Sequence, residues 1–237
     1  MIDTVRLFIG FDKMENVAYH TLCHSIIKRC SFPVSITPLN RDNLKRHFWR
    51  PRGEYDSTDF SNSRFIIPHL CDFEGWAIFM DSDMLCLADI GELWAQRDPN
   101  YAVQVRKHDY EVKEDVKFLG QRQAKYSRKN WSSLMLFNND RCRPLTKHIV
   151  NSMESGFWFH QFKWLPDEEI GSIEGNWNHL VGVNEPATNA KLVHYTLGGP
   201  WHGFQDVEYA SHWLNETEEM LHGENPIDWS AQASLPG

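Results

Sequence analysis

Two aspartates, one residue apart, follow a short apolar run in Trp76-Ala77-Ile78-Phe79-Met80-Asp81-Ser82-Asp83. Paired carboxylates at the end of a buried strand concentrate negative charge that something must neutralise. In a tight turn, side chains at i and i+2 can converge on one divalent cation. Hard cations such as Mn2+ or Mg2+ take oxygen ligands of this kind, often completed by substrate phosphates. A second stretch, Leu192-Val193-His194-Tyr195-Thr196-Leu197-Gly198-Gly199-Pro200-Trp201, brings a histidine to the end of a strand and then turns on two glycines. Its imidazole can add a nitrogen ligand, and its backbone amides can approach a phosphate. His20, Cys23 and His24 also share one helical turn, but no further ligand pair is close in sequence, and a helix with polar and buried faces explains them.

The elements that must hold these residues read as α/β. Val5–Gly10 is a short buried strand, Glu15–Arg29 carries apolar residues at helical spacing, and Phe32–Leu39 alternates as a second strand. Strand, helix, strand at this spacing is a βαβ unit, which implies a mixed, mostly parallel central sheet flanked by helices. Asn40–Asp59 reads as a loop, and Ser61–Cys71 as a helix that Pro68 interrupts. Gly75–Met80 is the strongest strand. Ala88–Gln96 follows as a short helix, Tyr101–Val105 and Ser132–Asn138 as strands, and Pro144–Ser152 as a helix. The polar segment 106–130 is a loop-rich insertion or a lid. No repeat or linker divides the chain, so residues 1–237 are expected to form one domain. In open α/β sheets ligands bind at the carboxyl edge, where Asp81 and Asp83 would stand.

The chain has 237 residues, with 24 Lys+Arg against 32 Asp+Glu, a net charge of −8. That balance argues against a generic nucleic-acid binder, which needs a basic footprint. It leaves room for an anionic ligand if a bound cation supplies positive charge. Five cysteines, an odd number with no C-x-x-C pair, make neither a disulfide framework nor a zinc ribbon. The start lacks the pattern of a signal peptide and no segment approaches a membrane span, so a soluble, cytoplasmic protein is expected. Aromatic residues make up 13% of the chain, rich enough to build large flat surfaces in a core or a cleft.

Taken in order, Leu7-Phe8-Ile9-Gly10-Phe11-Asp12, Ser63-Arg64-Phe65, Phe79-Met80-Asp81-Ser82-Asp83 with Asp89-Ile90-Gly91-Glu92-Leu93-Trp94, and His194 with Gly198-Gly199-Pro200-Trp201 resemble the GT-A nucleotide-sugar glycosyltransferases. The sequence is most similar to glycosyltransferase family 8, the glycogenin and lipopolysaccharide galactosyltransferase group, from about Val5 to Phe204. The resemblance implies a single GT-A (Rossmann-like) domain that transfers a sugar from a nucleotide-sugar donor, a UDP-sugar by resemblance alone, to a glycan or other hydroxyl acceptor. Gly10 and Asp12 would then meet the donor's base or ribose. Arg64 and Ser82 would lie at the donor beside the acids, and Gly198 and Gly199 would line the diphosphate. Asp81, Asp83 and His194 would hold Mn2+ (or Mg2+), which stabilises the departing nucleoside diphosphate.

The sequence departs from that family pattern in three places. No lysine precedes Pro200-Trp201, so His202 or one of Lys125, Arg128 and Lys129 would have to meet the diphosphate. Trp131-Ser132-Ser133 replaces a glycine-containing turn that contacts donor sugar hydroxyls. Asp167-Glu168-Glu169 stands where the family carries Asp-Gln-Asp, which makes Asp167 and Glu168 candidates for general base or nucleophile in a reaction that the family runs with retention. Trp158, Trp164, Trp177, Trp201 and Trp213 include sugar-stacking platforms, with at least half of them expected in the core. Two other readings fit parts of the pattern. One is a haloacid dehalogenase-type phosphatase, which also sets D-x-D after a strand. The other is a GT-A-like protein that binds a nucleotide sugar or a partner without turnover.

Overall fold

A computed structural model describes residues 4–53, 56–109, 127–152 and 155–223. The first unit is β1 (Val5–Phe11), α1 (Asn16–Arg29) and β2 (Val34–Asn40), with both strands parallel and Gly10 opposite Leu39. β3 (Trp76–Met80) pairs parallel to β1 on its other side. β5 (Val103–Val105), β6 (Leu134–Asn138) and β7 (Ile170–Ser172) complete a six-stranded sheet in the order β2-β1-β3-β6-β5-β7. β6 runs against its neighbours β3 and β5, while β7 lies parallel to β5. The sheet is therefore mixed and mostly parallel, as the βαβ pattern requires.

The core follows from the period of a strand. Val5, Leu7 and Ile9 of β1 join one apolar cluster, and Phe8 joins another on the opposite face. β3 divides Ile78 and Met80 from Ala77 and Phe79, and β6 divides Leu134 and Leu136 from Met135 and Phe137, in the same way. Because both faces are covered, these strands do not alternate apolar with polar residues; Arg6 in β1 and Asn138 at the end of β6 are their polar positions. Of the five tryptophans singled out above, Trp164, Trp177 and Trp213 are buried in these clusters or a third one.

A small second sheet of β4 (Met84–Cys86), β8 (His179–Leu180) and β9 (Leu192–His194) leaves the main sheet directly after the two aspartates. Its antiparallel pairing sets Met84 opposite His194, so the chain returns from more than 100 residues away to the D-x-D turn. The remaining helices are α2 (Ile67–Leu70), α3 (Ile90–Trp94), α4 (Lys147–Val150), α5 (Gly156–His160) and α6 (Ala210–His222).

Several local expectations need correction. Pro68 does not interrupt a helix; it sits in the first turn of α2, where its missing N–H has no partner to lose, after a 3-10 turn at Ser63–Ile66. The second strand runs Val34–Asn40 rather than Phe32–Leu39, and Pro38 inside it is tolerated because β2 is an edge strand. α6, absent from the sequence reading, packs on α1. There the buried Glu216 accepts from Arg29 Nη2 at 2.7 Å and pairs with His24 Nδ1 at 2.6 Å. Most of the expected 106–130 insertion, residues 110–126, lies outside the described residues.

Candidate functional site

The direction of the strands decides what meets at the carboxyl edge. β1 and β3 end there, delivering Asp12 and Asp81. β6 begins there, since Leu134 lies opposite Met80, so Asn130, Ser132 and Ser133 arrive at the same edge from the other direction. β9 ends beside Asp83, adding His194 and then Thr196. A pocket is lined by Glu15, Ser57, Thr58, Phe60, Arg64, Asp81, Asp83, Asn130, His194 and Thr196.

Asp81, Asp83 and His194 offer ligand atoms that all lie within 4.8 Å of one another, the one such group of His, Cys, Asp or Glu among the described residues. His194 Nε2 stands 3.2 Å from Asp83 Oδ1. Its other nitrogen, Nδ1, is 2.8 Å from Oδ1 of Asn178, a fully buried side chain. Two hard oxygens and one imidazole nitrogen suit a divalent cation such as Mn2+ or Mg2+. No comparable group forms at His20, Cys23 and His24, where His24 is committed to Glu216.

Arg64 is the cation built into the pocket. Its Nη1 lies 2.8 Å from Asp81 Oδ1 and donates to the Ser132 carbonyl at 2.8 Å. Its Cζ lies 4.7 Å from the Phe79 ring centroid and 5.4 Å from that of Phe60, and the side chain is buried between them and Asp81. Phe60 closes over Gly10: a Cβ at that glycine would meet the ring at 2.2 Å. Gly10 thus serves close packing at the pocket wall.

Glu15 was not among the residues singled out from the sequence. It is buried beside Asp81, Asp83 and His194 and accepts from Ser82 Oγ at 2.9 Å, which explains why a serine fits between the aspartates. Burial, and next the Asp83 charge, push the Glu15 carboxyl up to about 8 against the opposing effect of the Ser82 hydroxyl. An acid at the start of a helix normally reads as a favourable partner for the helix dipole, and that ordinary role concealed it.

Asp12 is also buried, and both of its oxygens are engaged. Oδ1 accepts from Met14 N at 2.9 Å, capping the turn before α1, and Oδ2 accepts from Asp59 N at 3.0 Å. It therefore fastens the loop that carries Ser57 and Thr58 into the pocket. Gly198 has φ +108°, a conformation open to glycine, while a Cβ at Gly199 would collide with the Trp201 ring at 2.2 Å. His202 follows: burial lowers its imidazole below the ordinary range, with the Asp83 charge acting the other way.

The structure does not bring Asp167 and Glu168 into the pocket lining. They lie exposed on a 3-10 turn, Asp167–Glu169, and Asp167 pairs with Arg128 Nη2 at 2.6 Å. That ion pair holds the Asp167 carboxyl below the usual range and occupies one of the proposed substitutes for the missing lysine. His108 was likewise not anticipated. Burial, with the nearby His194, Arg106 and His179 charges, lowers it to about 3, so it is neutral beside the site.

The topology, with a D-x-D turn at the carboxyl edge, is that of the GT-A fold. The chain superposes on the WbbM bifunctional glycosyltransferase with a TM-score of 0.64 at 15% identity, covering 97% of this chain and 51% of that one. On galactosyltransferase LgtC, solved with donor and acceptor sugar analogues, the TM-score is 0.59 at 10% identity, covering 96% and 100%. On GlyE of Streptococcus pneumoniae it is 0.55 at 13% identity, covering 98% and 64%. The chain thus spans about half of WbbM and all of LgtC, and at these identities the likeness is one of fold. No protein-family model matches the sequence. The chain belongs to the family of Protein CDI of Arabidopsis thaliana, with which it is 48% identical over 224 residues, covering 90% of this chain and 86% of that protein.

Proposed function

We propose that this protein is a metal-dependent glycosyltransferase that moves a sugar from a nucleotide-sugar donor, a UDP-sugar in the first instance, to a hydroxyl of a glycan or other acceptor. The observation that carries this reading is the charge balance of the pocket. Even with Glu15 protonated, Asp81 and Asp83 face Arg64 as the one Lys or Arg among the described residues lining the pocket, so an anionic diphosphate needs a further positive charge there. Asp81, Asp83 and His194 would hold that charge as Mn2+ or Mg2+. A metal bound there would supply the positive charge that stabilises a leaving nucleoside diphosphate.

The chain's own residues then divide the work. Arg64 fixes Asp81 in place, and Ser82, tied to Glu15, fixes the turn between the two ligands. The Gly198 N–H donates to the Tyr195 carbonyl at 2.8 Å, so the Gly198-Gly199 turn would line the diphosphate with the Gly199 amide, and His202 would be the side chain in the position left by the missing lysine. Asp12 supports nucleoside binding by holding Ser57 and Thr58 at the pocket wall, with Gly10 packed below. Asp167 or Glu168 would serve the anomeric centre as base or nucleophile, with retention of configuration in a single domain of the family 8 type, only with a donor whose sugar reaches their exposed turn beyond the pocket lining. Five free thiols, three of them buried, accord with a reducing, cytoplasmic setting.

The test is a panel of nucleotide sugars incubated with the protein, with Mn2+, Mg2+ or a chelator, and assayed for released nucleoside diphosphate. Metal-dependent release from one donor supports the reading. Release of inorganic phosphate from small phosphoesters instead would point to a phosphatase, and donor binding without turnover to a binding protein. Normal transfer by E168Q would remove Glu168 from the mechanism, and normal transfer by D167N would remove Asp167.

A further inference from the structure

We infer that Asn178 is a positioning residue that sets the tautomer of His194, placing the proton on Nδ1 and leaving Nε2 as the ligand nitrogen. Its purpose rests on the metal-site reading above; its geometry stands independently. Asn178 follows Trp177 on the segment between β7 and β8, is fully buried, and has φ +60°, a left-handed conformation that Asn and Gly adopt readily. Its amide meets three groups: Nδ2 lies 2.9 Å from Ser133 Oγ and 3.3 Å from the Asn130 carbonyl, and Oδ1 lies 2.8 Å from His194 Nδ1.

Only one of these partners has a fixed polarity. The Asn130 backbone carbonyl accepts and cannot donate, so the NH2 end of the amide must face it. The Ser133 hydroxyl gives its own proton to the same carbonyl at 2.7 Å and so presents a lone pair to Nδ2. With both amide protons spent, Oδ1 is left toward His194, and the ring nitrogen opposite it must donate. The amide orientation, usually a matter of assignment, is here decided by a backbone carbonyl.

The consequence falls on the other side of the ring. In the neutral imidazole Nε2 then carries a lone pair, and it points toward Asp83 Oδ1 at 3.2 Å. Lone pair against carboxylate is repulsive until a cation stands between them. A histidine held through its second nitrogen by an oxygen acceptor is the usual way in which a metal ligand is oriented. Asparagine suits the position better than aspartate, because a carboxylate would set a second acceptor against the Asn130 carbonyl and add charge to an already acidic site.

The experiment compares wild type with N178G, which tolerates the backbone conformation but has no acceptor, and N178D, which keeps an acceptor of the same shape. Ser133 can turn its proton to the new oxygen in N178D. Two readouts are taken: the 15N resonances of the His194 ring in metal-free protein with the ring neutral, and Mn2+ affinity by calorimetry. Expected are a protonated Nδ1 in wild type and N178D, loss of that preference in N178G, and a ten- to hundredfold weaker Mn2+ affinity in N178G alone, the usual range for loss of an outer partner. A wild-type ring protonated on Nε2, or N178G with unchanged ring resonances and Mn2+ affinity, would overturn the inference, as would N178D behaving like N178G while folded. Wild-type protein that shows the expected ring state but fails to bind Mn2+ would sink the metal-site reading and leave the role of Asn178 standing.

Discussion

Arg64 closes on Asp81, with Nη1 2.8 Å from Oδ1, and the same nitrogen reaches the Ser132 carbonyl at 2.8 Å. One guanidinium thereby joins the end of β3 to the segment that begins β6 and partly neutralises Asp81. Removing it leaves Asp81 near Asp83 and Glu15 without a Lys or Arg among the described residues that line the pocket. R64M is expected to lower the unfolding free energy by about 3 kcal/mol in urea titrations, in the range for breaking a buried pair. Saturating Mn2+ should recover more stability in R64M than it adds to wild type. An equal metal effect in both proteins would argue that Arg64 and the metal do not share Asp81.

Asp83 adds to the charge that raises the Glu15 carboxyl, so the metal-free site stores repulsion. D83N relieves part of it. Its metal-free melting temperature should equal or exceed that of wild type, while the stabilisation by Mn2+ should vanish. For wild type that stabilisation is about 2.7 kcal/mol at a hundred times Kd. H194A should lose the same metal response. Thermal melts with and without Mn2+ decide both.

Glu15 makes a prediction with a definite sign. Its folded carboxyl is raised to about 8, so in the window between about 4.5 and 8 the folded protein binds more protons than the unfolded chain. Stability must then fall as pH rises through that window. E15Q cannot ionise there, and its decline from pH 5 to pH 8, measured by urea unfolding of metal-free protein, should be shallower than that of wild type. Parallel curves would refute the shift.

Glu216 holds α6 to α1 through Arg29 and His24. Burial works to raise its carboxyl, and the hydrogen bonds and charges of those two partners outweigh it, so the group ionises below the usual range near 4.5. E216A is expected to cost about 2 kcal/mol at pH 7, less than a fully buried pair because both partners keep some contact with water. The contribution is lost as pH falls below about 4.5 through the depressed folded value, so the gap between wild type and E216A should narrow at pH 3.

The sequence by itself determined the α/β class, the first βαβ unit and the position of the D-x-D after β3, because each depends on local periodicity. Val5–Gly10, apart from Arg6, and Gly75–Met80 are apolar for a reason readable along the chain: both faces of those strands are buried. It also marked His194 and the paired glycines, whose types stand out against their neighbours. Tertiary structure alone decided which partners these residues meet. Nothing in Glu15, Asn130 or Asn178 announces a site, since acids at helix starts and asparagines in turns are common. They become site residues because parallel β1 and β3 and antiparallel β6 bring their ends to one edge, and because β9 pairs with β4 just past Asp83. α6 escaped notice for a related reason: its buried face, Ala210, Trp213 and Glu216, includes an acid whose partners, Arg29 and His24, lie on α1 far away in the chain. Side-chain type is written locally, but charge, burial and tautomer are properties of the neighbours, and strand pairing between residues far apart in the chain chooses those.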